Sequence, residues 1–353
     1  MRTWDAIVIG AGIIGLSLAI ELRKTGMSVL VVERGEPGRE ASWAAGGMLA
    51  DCGLEIPAGL RVLATASARM YPEFVHELED ESGLKIDLRA VGTLLFPDAP
   101  PGHDFQESRQ LPAAFETREP ALRVPGGTAL YLKERNVDPR GLTIAAIAAA
   151  KHRGVDFSSG DTVLEVEIVG GKAAGVRTNK TRFTSSVVIN CAGAWAGQIG
   201  PHAFPTRPVK GQMLCVAMPQ RDLVRHVIRT PEVYLIPRSD GRMLIGATVE
   251  EAGFNKQTVP ETIQRLRQAA LDLLPELANA KILEAWAGLR PGTPDNLPIL
   301  GATPTPGYFV ATGHFRDGIL LAPVTAKVMG QVIAGRKPDF SLMLFSAQRF
   351  DRD

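Results

Sequence analysis

Cysteine is scarce in this 353-residue chain: Cys52, Cys191 and Cys215 are the only three. They form no Cys-x-x-Cys pair and no zinc spacing, so a disulfide framework has no support and a reducing cytoplasm is the expected location. The six histidines are scattered without a His-x-x-x-His pair, and a protein metal site is not expected. Charge of one sign is also lacking. Lys+Arg 39 against Asp+Glu 38 leaves +1, with no basic tail or block to draw nucleic acid or a membrane surface. No internal repeat or low-complexity segment is evident. The longest apolar stretch, Ala6 to Ile20, is broken by Gly10, Gly12 and Gly15, follows Asp5 and runs into Glu21-Leu-Arg-Lys24 without a cleavage pattern. It falls short of the roughly 20 residues a bilayer span requires. Partners must therefore be argued from a local site.

What is present is an ordinary globular composition, 45% hydrophobic and 22% charged, in a length that favours two domains or one large α/β unit with an insertion. The spacing predicts a buried strand at 6–9, a helix over 16–24 closed by Gly26, and a second strand at 28–32, together a βαβ unit of about 30 residues. A loop of small residues follows at 35–48, then a helix over 60–81. Between 86 and 137 the pattern changes to short β-like pieces (93–96, 128–132) separated by proline and glycine. Asp138-Pro139 marks a helix start with Asp as N-cap and Pro in the first turn, continuing to Lys151. A hairpin is expected about Gly170-Gly171, a buried strand at 187–190, strands throughout 213–248, a helix over 261–274, a last buried strand at 308–311 and a C-terminal helix after Gly318.

Gly10-Ala-Gly12-Ile-Ile-Gly15 matches G-x-G-x-x-G and sits between the first strand and helix, with Glu33 about 20 residues on. Gly10 permits the tight turn, Gly12 lets backbone amides approach a pyrophosphate, and Gly15 lets helix and strand pack closely. The helix N-terminus offers partial positive charge to phosphates, and the Glu33 carboxylate offers an acceptor to ribose hydroxyls. The alternative, a glycine-rich turn beside a surface Glu, is the weaker reading in this context. Whether the nucleotide is FAD or NAD is a separate question. The loop Ala41–Met48, with Ser42, is either a flexible lid or a small-residue cradle for a flavin. A second glycine turn, Ala311-Thr-Gly-His-Phe-Arg-Asp-Gly318, favours flavin, because the helix it opens can face the N1–C2=O edge of the ring.

These motifs, with Ala45-Gly46-Gly47-Met48, Asp138-Pro-Arg140, Cys191-Ala-Gly-Ala-Trp195, Pro208-Val-Lys-Gly211, Gly288-Leu-Arg-Pro-Gly-Thr293 and Gly313-His-Phe-Arg-Asp-Gly318, cover almost the whole chain. They resemble the glycine oxidases, within the amine oxidases that include D-amino-acid oxidase and sarcosine oxidase. The resemblance implies an α/β fold in which a Rossmann-type FAD-binding domain is interleaved with a β-rich substrate domain of antiparallel sheet and helices. The expected division is 1–85, 138–206 and 291–353 against 86–137 and 207–290. It also implies non-covalent FAD and oxidation of a small amino acid to an imine, then an α-keto acid and ammonia, with O2 reduced to hydrogen peroxide. Thiamine thiazole synthesis is the implied pathway and a homotetramer the implied assembly. The implied cofactor contacts come from Gly10, Gly12, Ile13, Ile14 and Gly15; Glu33 and Arg34; Ala41, Ser42, Gly46, Gly47 and Met48; Val163 and Gly193; and His314, Phe315, Arg316, Asp317, Gly318, Ile319 and Leu320.

Arg290 is the candidate carboxylate clamp. Pro291 holds it in an extended loop, and a guanidinium can meet a carboxylate with two parallel N–H···O bonds. For any one Arg a structural ion pair is the commoner role; the resemblance assigns this one to substrate. It does the same for Tyr234, whose type in a β-rich run otherwise suggests core, and for Arg316. Two positions depart from the family pattern: Glu232 stands where a His can occur and Val249 where a Met can, so the pocket is expected to be wider and the glycine preference less strict. No general base is assigned, because hydride loss from Cα requires only a neutral amine. His314 is read as backbone at the flavin, and Cys191 and Cys215 as buried apolar residues. The rival readings are a dehydrogenase on the same fold, passing electrons to a quinone or carrier, and a non-catalytic flavin-binding module.

Overall fold

A computed structural model describes residues 3–51, 56–97, 119–123 and 129–350. Cys52 and Thr128 lie outside them. The strands Ala6–Ile9, Val29–Glu33 and Val188–Asn190 are apolar along nearly their whole length and buried on both faces, as parallel strands between two layers must be. They form the centre of a six-stranded sheet in the order 299–302, 308–312, 188–190, 6–9, 29–33, 156–159. All neighbours are parallel except the edge pair 299–302 and 308–312.

The two-residue period of a strand divides its side chains between layers. Ala6 and Val8 face the helices Ile13–Lys24, Arg61–Ser82, Pro139–His152 and Gly318–Ile333. Ile7 and Ile9 face the other side, where Val163, Val166, Ala173 and Val176 come from a three-stranded antiparallel sheet. The helix at Pro139 starts as its sequence predicts: the Asp138 side chain accepts from the Arg140 amide at 3.0 Å. Glu33, Cys191 and Gly313 stand at or just beyond the carboxyl ends of neighbouring strands, and Gly10 follows the first. In an open α/β sheet that edge, where chain order reverses, is where ligands bind.

The second large sheet has seven strands in the order 282–292, 207–217, 242–246, 234–237, 227–229, 93–95, 130–132. It is antiparallel apart from the pair 227–229 and 93–95. The helix Pro260–Leu273 packs on it through Leu266, Ala270 and Leu273. A small sheet of 48–49, 135–137 and 88–89 joins the two parts.

Two expectations need correction. Arg290 is not in a loop: Ile282–Gly292 is an eleven-residue strand whose ladder with 207–217 sets Val209 opposite Arg290 and Gly211 opposite Gly288. Gly288, Pro291 and Gly292 hide it in the sequence, and Ile282 and Leu283, 40% and 46% exposed, break the inward–outward alternation. It lies at the sheet edge, where a strand tolerates proline, and non-local pairing overrides its weak local signal. The loop over 35–48 also contains one helical turn, Ala41–Ala44. Cys191 and Cys215 are free and buried, as read. Among the described residues no helix is long and apolar enough to cross a membrane.

Candidate active site

Both sheets contribute to one cavity of about 910 Å³. At one end its wall is mostly backbone. Gly10 adopts φ +99°, and a Cβ there would sit 2.7 Å from the Cys191 carbonyl, so the turn excludes any side chain. A Cβ on Gly15 would fall 2.0 Å from the Gly10 carbonyl, and its glycine lets the helix close down on the turn. Gly15 therefore shapes the cavity from beneath without lining it. At the helix entry the Ile13 amide donates to Ser42 Oγ at 2.9 Å, which ties the small-residue segment to the fingerprint turn. Both Glu33 oxygens are held by backbone: Oε2 accepts from the Ala11 amide at 2.8 Å and Oε1 from Gly35 at 2.9 Å. The carboxylate is buried and fixed at the cavity wall with acceptor capacity remaining.

The Gly46-Gly47 turn is positioned by a residue that local pattern does not reveal. Arg238 is almost fully buried and donates from Nη2 to the Gly46 carbonyl at 2.6 Å and from Nη1 to Asn136 Oδ1 at 3.0 Å. Desolvation pulls its guanidinium down to about 10. Opposite, the 313–318 turn carries the left-handed Phe315 (φ +46°), whose amide donates to the Pro291 carbonyl at 2.9 Å. A bulky residue in that region is strained and persists only where its surroundings impose it. His314 is buried, with Nε2 3.1 Å from Thr325 Oγ1; burial pulls its imidazole down to about 3, so it stays neutral.

The other end is made of side chains. Arg290 Nη1 donates to the Thr248 carbonyl at 3.0 Å and to the Lys210 carbonyl at 3.3 Å. Its guanidinium lies directly over Gly211, where a Cβ would approach Nη1 and Nη2 to 2.4 Å. Tyr234 lies over Gly246 in the same way, with Cε2 2.9 Å from the position of a Cβ, and its hydroxyl is 3.5 Å from Met213 Sδ. Burial raises the Tyr234 phenol above its ordinary value, opposed by the charges of Arg290, Arg316 and Arg229; burial lowers Arg290, opposed by Tyr234. Arg316 comes from the 313–318 turn and lines the same cavity. Tyr234, Arg290 and Arg316, read from distant parts of the chain, thus share one electrostatic site. Val249 is 53% exposed and lines the cavity, as does the exposed Glu232.

The remaining expected cofactor residues also line the cavity, including Ile14, Arg34, Ala41, Met48, Val163, Gly193, Asp317 and Ile319. Leu320 does not. Its side chain is buried in the core, and its carbonyl accepts from Ser67 Oγ at 2.6 Å. The helix rotates it away from the face that Ile319 presents. Gly211, Gly246 and Arg238 are structural supports that the sequence reading assigned no role; their signal is a close approach between strands, which exists only after the sheet has formed.

A cavity lined by glycine turns in one part and by a half-buried cation and a phenol in another is suited to a dinucleotide with a small anionic molecule beside it. Comparison with known proteins agrees. Residues 5–332 match the family described as FAD dependent oxidoreductase. The chain is 36% identical to the bifunctional protein ThiO/ThiG of Trichormus variabilis over 99% of this chain and 56% of that protein. It thus spans about half the length of the first curated relatives. It is 34% identical to the glycine oxidase of Pseudomonas aeruginosa, over 94% of this chain and 95% of that one. Among solved structures, the glycine oxidase of Geobacillus kaustophilus superposes with a TM-score of 0.93 at 28% identity, covering 99% of each chain.

Proposed function

The chain belongs to the FAD dependent oxidoreductase family, and from that premise we propose that it oxidises glycine and other small amino acids or amines, such as sarcosine and D-alanine. The cavity fits the cofactor. Added Cβ atoms at Gly10 and Gly47 would strike backbone at 2.7 and 2.0 Å, so only glycine allows the close-packed turns that form its backbone wall. Glu33 would meet the ribose, the Gly12–Ile14 turn with Ser42 the pyrophosphate, and the Gly46–Met48 and His314–Ile319 segments the ring, held without a covalent link. Bound there, FAD supplies a two-electron acceptor that O2 restores, with release of hydrogen peroxide.

The chain's own residues bind and orient. Arg290 meets the substrate carboxylate with the Tyr234 hydroxyl beside it, and Arg316 adds positive charge from the adjoining turn. Two-point capture of the carboxylate fixes the direction of Cα, which converts binding energy into orientation. The same cations disfavour a protonated amine, so the neutral form that can lose hydride is bound without a dedicated base. The resulting imine hydrolyses to α-keto acid and ammonia, or to the free amine when the nitrogen is substituted, with glyoxylate as the product when glycine is oxidised. This activity would serve the thiazole branch of thiamine synthesis, in keeping with the relatives that carry the same region beside a second unit.

The observation that carries this reading is Arg290 itself: a half-buried cation seated on glycine, held by the Lys210 and Thr248 carbonyls beside the Tyr234 hydroxyl, in the same cavity as the glycine turns of the nucleotide end. The test is peroxide release by the yellow holoenzyme against glycine, sarcosine, D-alanine and D-proline. Peroxide formed with glycine and at least one larger amine is expected. Reduction of a dye or quinone with no peroxide would make the enzyme a dehydrogenase instead.

A further inference from the structure

Arg290 has an unusual anchorage: among the described residues it forms no ion pair with a carboxylate, and the direction of its guanidinium is set by two backbone carbonyls. These belong to separate segments, Lys210 in the 207–217 strand and Thr248 just after the 242–246 strand. The aim of the cation is therefore only as good as the clasp between those segments.

That clasp converges on Glu250. Its amide and carbonyl exchange hydrogen bonds with those of Lys210, both 2.9 Å. Its Oε1 accepts from the Thr248 hydroxyl and, at 2.8 Å, from Gln212 Nε2. The Thr248 hydroxyl accepts in turn from the Gln212 amide at 2.9 Å, and Gln212 Oε1 accepts from the Val259 amide at 2.7 Å. Gln212 is fully buried, and the buried Lys210 ammonium lies 3.7 Å from Glu250 Oε2. Partial burial opposes ionisation of Glu250, but the bonds from Thr248 and Gln212 and the charge of Lys210 hold its carboxyl below its ordinary value. Along the same segment Ala247 and Val249 line the cavity while the Thr248 and Glu250 side chains turn back into the network.

We propose that Glu250 is a positioning residue for the carboxylate clamp, acting through Thr248, Gln212 and the Lys210 backbone to hold the two carbonyls that aim Arg290. The inference rests on the reading of Arg290 as that clamp. Without the carboxylate, the Thr248 hydroxyl and Gln212 Nε2 lose their shared acceptor. The 247–250 segment is then held to the 207–217 strand by its backbone bonds and the Thr248 hydroxyl alone, and the guanidinium loses its register with the substrate.

The test compares holoenzymes carrying Glu250→Ala, Glu250→Gln, Arg290→Lys and the Glu250→Ala/Arg290→Lys pair. Each is titrated with glycolate, a carboxylate without an amine, and assayed with glycine. Glu250→Ala should weaken glycolate and raise KM by about 10- to 100-fold, the scale of losing a hydrogen bond to a charged group. Its kcat should fall much less, and its FAD content should hold. Glu250→Gln should recover most of the loss, since an amide oxygen still accepts from Thr248 and Gln212. Adding Glu250→Ala to Arg290→Lys should cost little more, because groups acting through one another are non-additive. Fully additive losses, or wild-type glycolate affinity in Glu250→Ala, overturn the proposal. Wild-type glycolate affinity in Arg290→Lys would instead remove the clamp reading on which it rests. If Glu250→Ala does not fold, Thr248→Val, which deletes the bridging hydroxyl, is judged by the same criteria.

Discussion

The two ends of the cavity are built by opposite means. The nucleotide end is a surface of main chain: glycine turns, a helix N-terminus, and a Glu33 carboxylate pinned by the Ala11 and Gly35 amides. The amino-acid end is a surface of charge, with Arg290 and Tyr234 carried on strands of the second sheet and each seated on a glycine of a neighbouring strand. A backbone wall is insensitive to most side-chain changes and grips a large ligand over many weak contacts. A charged wall concentrates recognition in a few atoms and makes specificity adjustable. The comparison predicts that damage at one end should leave the other intact.

The largest effect should come from Arg290→Ala. Removing one partner of a buried charge pair costs about 3–5 kcal/mol, so kcat/KM should fall roughly 10²–10³-fold at about 1.4 kcal/mol per tenfold. FAD content should stay near wild type. Steady-state kinetics beside flavin absorbance would check this, and loss of flavin with unchanged kinetics in the folded remainder would make Arg290 structural. Arg290→Lys should recover only part, because an ammonium cannot reproduce the planar fork.

Gly211→Ala asks the same question without touching the cation. Its Cβ would enter the space of the guanidinium at 2.4 Å. Displacing Arg290 should raise KM about 10-fold or more, at the same conversion between energy and affinity, with FAD affinity unchanged. An unaltered KM would mean that the Arg290 seat is not needed for substrate.

Glu33→Ala attacks the other end. FAD binding should weaken by about 1–3 kcal/mol, the cost of losing a charged hydrogen-bond partner, while KM of the fully loaded enzyme stays put. Equal FAD affinity in variant and wild type would move the ribose contact elsewhere.

Val249→Met is a smaller change. Added bulk at the mouth should lower activity on sarcosine and D-alanine relative to glycine by about 10-fold, the lower range for a methylene-sized contact. A substrate profile that does not narrow would show that another residue closes the pocket.

The smallest effect concerns pH. His314 is held neutral down to about 3, whereas an unfolded histidine takes a proton near pH 6.5. The unfolded chain therefore binds the extra proton in between. This residue's contribution to stability is complete above about pH 6.5 and is lost as the pH falls through that window. Unfolding measured across it should show a shallower acid slope in His314→Gln, and kcat/KM should show no inflection attributable to His314 near neutrality.

The nucleotide end was legible because its parts are adjacent in the chain. Strand, turn, helix and Glu33 span residues 6–33, and each glycine has a local steric reason that a motif records. The hairpin about Gly170-Gly171 and the Asp138 cap were legible for the same reason. Arg290 was found by resemblance, in a segment misread as a loop, and nothing local distinguishes it from a surface arginine. Its partners lie 42 and 80 residues away, and Arg238 reaches Gly46 across 192. Such contacts leave no period in the sequence.

The sequence by itself determined the family, the βαβ unit and the chemical types at the site, because hydrophobic period, glycine spacing and capping act over one or two turns of chain. Only the tertiary structure decided that the 282–292 strand would pair with 207–217. That pairing lays the Arg290 guanidinium over Gly211 and against the Lys210 and Thr248 carbonyls. The physical reason is that burial and strand pairing are set by which surfaces meet, and surfaces meet only when the whole chain has folded.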